Sequence, residues 1–158
     1  MKKSFAAGIG FGLTSGVITT LGLLVGLYSG SASVSSVISG IVVMAVADSL
    51  SDAMGMHLST ESRTESTEKS IWETTFAAFG AKFFTAISFV IPLILLSIDL
   101  AVTICLLWGL FLVIFFSALI SKKRGDPVVR SILKHLFITI VVVIISYFAG
   151  KGVSKLIN

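Results

Sequence analysis

Asp48 and Asp52 stand four residues apart inside a stretch that otherwise reads as a membrane-crossing helix. That spacing puts both carboxylates on one helix face. A charge in hydrocarbon costs about 2.5–3.5 kcal/mol on insertion scales, so two on one face require a partner, a proton or an ion. Met44 and Met56 extend the stripe by a turn at either end and add soft sulfur, which favours late transition metals over Mg²⁺ or Ca²⁺. Beyond the last apolar residue come His57, Glu61, Glu65 and Glu68. Continued as one helix at about 100° per residue, these four fall within about 80° of one another. The arrangement suits a cation path, with an acidic collector outside the bilayer and a carboxylate–thioether relay inside it. Two plainer readings stand beside it. The aspartates can be a structural pair sharing one proton, and the glutamates can be a solvated helix face.

The composition calls for a membrane. Of 158 residues, 55% are hydrophobic and 13% charged, against roughly a quarter charged in a soluble domain, and the mean hydropathy is +1.03. Five apolar stretches reach the roughly 20 residues needed to cross a bilayer. We place them near 6–29, 34–58, 74–97, 99–120 and 130–150, which predicts an all-α polytopic protein with one transmembrane domain over 1–158. A short helical extension is expected over 57–73. Lys2, Lys3, Arg63, Lys69, Lys122, Lys123, Arg124, Arg130 and Lys134 fall on one side of this topology, and only Lys151 and Lys155 on the other. The positive-inside rule then makes the N-terminus cytoplasmic and puts the C-terminus on the outer or luminal side. The basic residues sit at segment ends, so the net charge of +4 implies no nucleic-acid partner.

The elements around the acidic pair have features of their own. Gly8, Gly12, Gly16 and Gly22, Gly26, Gly30 form two small-xxx-small series in the first span, suited to close packing within the chain or to a dimer seam. Between them, Thr14 to Thr20 is a hydroxyl cluster. Its members either bond back to their own helix or face the aspartates. Lys82 in the third span is expected to snorkel to the interface, with pairing to Asp52 as the alternative. If paired, it would hold the site until a cation displaced it. Pro92 should kink the third span. The fourth span, which carries no Asp, Glu, Lys, Arg or His from Leu100 to Ile120, is expected to face lipid, and His135 lies near the headgroups, where a lone His is seldom a ligand. Lone Cys105 reads as a packing or lipid-facing residue. No nucleophile–His–acid set and no phosphate-cradling glycine loop is present, which argues against an enzyme.

The chain resembles the vacuolar iron transporter family. The matching pieces are Gly16-Val17-Ile18-Thr19-Thr20 with the glycine-rich Leu23–Gly30, and Ser51 to Ser59, which is similar to the family's S-M-x-x-G-E-Y-x-S run and shares Ser51, Gly55 and Ser59. Pro92, the short loops and the basic turn into the last helix fit as well. Asp52 stands where the family has Met, Met56 where it has Glu, and Ser15 where it has Asp; only Thr60 to Thr74 replaces its cytoplasmic metal-binding domain. The resemblance implies five helices, export of Fe²⁺ or Mn²⁺ from the cytosol in exchange for protons, and a homodimer whose path runs between the two first helices. Two copies of Ser15, Thr19, Asp48 and Asp52 would then line that path. The transported divalent metal would be substrate, with no bound cofactor. The contrasting reading is a non-transporting membrane scaffold, or a carrier of another cation. Aspartates turned to lipid, or locked to a lysine far from a dimer axis, would weaken the transport reading.

Overall fold

The computed structural model describes residues 3–157, and all its regular structure is helical. Six helices follow in order: α1 Lys3–Ser29, α2 Val34–Glu61, α3 Glu68–Ser88, α4 Val90–Leu95, α5 Ile98–Arg124 and α6 Val128–Ile157. Five segments are long and apolar enough to cross a membrane, because α3 and α4 together make one span, Glu68–Leu95. Lys2, counted above among the cytoplasmic charges, lies outside the described residues.

Local chemistry sets the ends. Ser33 caps α2 by accepting the Ser36 N–H at 3.2 Å. The expected kink breaks the third span at Phe89, just before Pro92, whose ring nitrogen offers no N–H to the Ser88 carbonyl. Cys105 of α5 points its thiol at the Phe89 carbonyl across that break, at 3.5 Å.

Helix α1 is the centre of the bundle and packs against α2, α3, α5 and α6. Both glycine series are used within the chain. A Cβ on Gly12 would meet the Ala78 carbonyl and one on Gly16 the Lys82 carbonyl, so the first series is the α1–α3 seam. Gly22 and Gly26 lie against Val142 and Ser146 of α6. The fourth span departs from expectation. Helix α5 buries a stripe running from Ala101 through Cys105 and Gly109 to Ser121, whereas α6 buries only Thr139. The small residues of α5 admit bulky α1 side chains, as Gly109 admits Leu21, whereas α6 meets α1 along the narrow Gly22–Gly26 seam and leaves most of the rest of its surface uncovered.

Candidate functional site

Near the middle of the α3–α4 span, Lys82 is 1% exposed, the largest side chain to be so fully buried. Its Nζ lies 2.6 Å from Asp48 Oδ2 and 2.5 Å from Asp52 Oδ2. It also donates to Ser15 Oγ at 3.1 Å. Ser15 in turn donates to Asp52 Oδ2 at 2.7 Å. An ammonium carries three N–H donors, and three oxygens from α1 and α2 surround this one. Lys82 therefore does not snorkel. Gly12 and Gly16 let the α1 backbone close over α3 at this level, which shuts the route to the interface, while two carboxylates lie within reach. The aspartate side chains are 34% and 23% exposed, at the edge of the bundle. Two carboxylates and one ammonium leave one formal negative charge.

The remaining predicted site residues separate into two groups. Thr19 donates to the Ser15 carbonyl at 2.9 Å, and Thr14 to the Gly10 carbonyl at 2.9 Å. Of the hydroxyl cluster only Ser15 reaches the acids, so Thr19 is no part of the polar centre. Met44 and Met56 are half-buried on α2, and every partner of the Lys82 ammonium is an oxygen.

The acidic collector is not one helix face. Glu61 ends α2, Glu65 lies in the turn that follows, and Glu68 opens α3; all three are exposed. The cause is the Ser/Thr content of residues 59–70. Thr67 and Ser70 form a reciprocal capping box, which starts a new helix where the old one could have run on. His57 turns away from the glutamates, with Nδ1 3.0 Å from Thr75 Oγ1 and its ring edge-on to Trp72. Among the described residues, no group of three or more His, Cys, Asp or Glu is placed to hold a metal ion.

Two further polar contacts tie helices together. Tyr28 donates to Asp99 Oδ1 at 2.7 Å where α1 ends and α5 begins. Ser117 lies 2.8 Å from His135 Nδ1 between α5 and α6. Sequence periodicity gave no sign of the first, because each residue sits alone near a helix end. The chain matches no family model, no curated protein and no solved structure.

Proposed function

We propose that this chain is a membrane transporter that moves a divalent transition metal, Fe²⁺ or Mn²⁺, out of the cytosol in exchange for protons, as a short relative of the vacuolar iron transporters. One observation carries the reading: Asp48 and Asp52 converge on the buried Lys82 ammonium near mid-span. Charges at that depth are costly and belong to ion paths more often than to packing. Lys82 holds the place a cation would take. An entering divalent ion displaces it from the carboxylates, and protons leave the site as metal enters it. The N-terminus is cytoplasmic under this proposal. The dimer forms on residues outside the two glycine series, since α3 and α6 cover those; Phe5 and Phe11, 38% and 42% exposed, are the exposed large apolar side chains that α1 offers it.

A specific observation favours a second reading, the scaffold. Both aspartates are locked to a lysine, half of the arrangement expected to weaken transport, and the Lys82 ammonium already has three oxygen partners from two neighbouring helices, which is what a purely structural cross-link requires.

Uptake of Mn²⁺ into proteoliposomes under a pH gradient separates the two. Transport predicts gradient-dependent uptake by the native chain, abolished by Asp48→Asn or Asp52→Asn. The scaffold reading predicts no uptake by any of the three.

A further inference from the structure

Helix α3 carries Trp72, Phe76 and Phe84 on one outward face, at four-residue spacing except where Gly80 takes the place of a fourth ring. A Cβ on Gly80 would meet nothing within 4 Å, while Phe76 and Phe84, one turn to either side, are exposed. The missing side chain leaves a notch. It opens into a groove of about 410 Å³ between α1, α3 and α5, whose walls include Leu13, Phe84, Trp108, Leu112 and Phe116. The side-chain polar groups along it are bonded inside the protein. Trp108 Nε1 donates to Ser88 Oγ at 3.1 Å, Ser88 to the Thr85 carbonyl at 2.6 Å, and Thr85 to the Ala81 carbonyl at 2.7 Å. What faces outward is an apolar wall on a span long and apolar enough to cross a membrane, where hydrocarbon chains lie against it.

One end of this groove is strongly basic. Lys123 lies seven residues beyond Phe116 on α5, about 10 Å further along the axis, and falls between Leu112 and Phe116 in direction around it. It therefore stands over the side of α5 that walls the groove. Lys122, Lys123, Arg124, Arg130 and Lys134 flank the α5–α6 turn, and all five are exposed. The turn has one acidic residue, Asp126, which is paired with Arg124 at 3.2 Å. A basic cluster of this kind at the end of a span attracts anionic lipid headgroups, and long lysine side chains reach the headgroup level from within the helix end.

We infer that the groove seats an acyl chain of an anionic phospholipid whose phosphate is held by Lys122 and Lys123. Gly80 makes room for the chain, and the lysines select the headgroup. The inference stands whether the Asp48–Asp52–Lys82 centre passes an ion or only ties helices together.

Thermal unfolding of the purified full chain in neutral detergent tests it, by titration with dioleoyl phosphatidylglycerol and separately with dioleoyl phosphatidylcholine. The two lipids share their acyl chains, and only the first has a net negative headgroup; binding to the folded chain raises the Tm. The half-saturating concentration should be about tenfold lower for phosphatidylglycerol, and inorganic phosphate should give no shift. Lys122→Gln with Lys123→Gln should remove that preference and leave the phosphatidylcholine response as it was. Gly80→Leu, which fills the notch, should raise the half-saturating concentration of both lipids by about tenfold. Gly80→Ala should shift it the same way by less, and it decides the point if the leucine variant does not fold. No response to either lipid, equal responses to the two, or native responses in both Gly80 variants would overturn the assignment. So would a Gly80→Leu protein that binds lipid normally but loses an oligomer on size exclusion, since a second copy would then be the occupant.

Discussion

The Lys82 ammonium lies 2.5 Å from the Asp52 carboxylate and ties α3 to α2 at the depth where an isolated charge is least tolerated. Removing one partner of such a pair leaves the other uncompensated, which typically costs about 3–5 kcal/mol, whereas replacing the whole group is often neutral. Lys82→Met should therefore lower the Tm of the purified protein sharply. The triple variant Lys82→Met, Asp48→Asn, Asp52→Asn should recover most of that loss. A Lys82→Met protein as stable as the native chain would mean that the ion pair contributes little to the fold.

The α1–α3 seam makes a second prediction. A Cβ on Gly12 would overlap the Ala78 carbonyl oxygen and stand 2.9 Å from the Ala81 Cβ, while one on Gly80 would meet nothing within 4 Å. Overpacking a close helix contact costs about 1–3 kcal/mol. Gly12→Ala should destabilise by that order and loosen the enclosure of Lys82. Gly80→Ala should be neutral or stabilising, by up to about 1 kcal/mol, through helix propensity. Equal Tm shifts for the two variants would contradict the seam.

Much of this architecture is legible before any fold is known. Hydropathy gives the spans, glycine spacing gives the tight seams, and Pro92 gives the break in the third span. The four-residue spacing of Asp48 and Asp52 marks the polar centre. What the pattern leaves open is the fate of groups with two reasonable partners. Whether Lys82 snorkels or pairs depends on how closely α1 approaches α3, a tertiary fact. Thr19 and Ser15 are both hydroxyls on one helix, and only contact with α2 separates them. The segment 59–70, read as a continued helix, departs for a related reason: Ser and Thr can continue a helix or cap the next one, and the Thr67–Ser70 box decides for capping.

Two connections differ in how well their residues suit their backbone. Ser31, after α1, has φ 64°, and Gly125, after α5, has φ 76°. The left-handed region strains residues with a Cβ and suits glycine. Ser31→Gly should stabilise the protein by up to about 1 kcal/mol, and Gly125→Ala should destabilise it by a similar amount. Differential scanning calorimetry of both variants checks the pair; shifts of the same sign would rule out this account of the two turns.

The turn between α2 and α3 decides what the acidic residues there can do together. If Met56 to Glu68 were one helix, two alanines inserted between Arg63 and Thr64 would rotate everything beyond them by about 200° and destroy a common acidic face. Here Glu61 closes one helix and Glu68 opens another, with Glu65 exposed between them, so the insertion only lengthens a turn. Lengthening a surface connection by two residues carries a small entropic cost. The inserted variant should keep the native Tm to within a few degrees and, on the transport reading proposed above, match the native chain in Mn²⁺ uptake. Thr67→Ala, by contrast, removes a cap and should cost about 1 kcal/mol. An insertion that unfolds the protein, or abolishes the Mn²⁺ uptake that the transport reading expects while Thr67→Ala is silent, would restore the continuous helix and with it a collector that reads as one face.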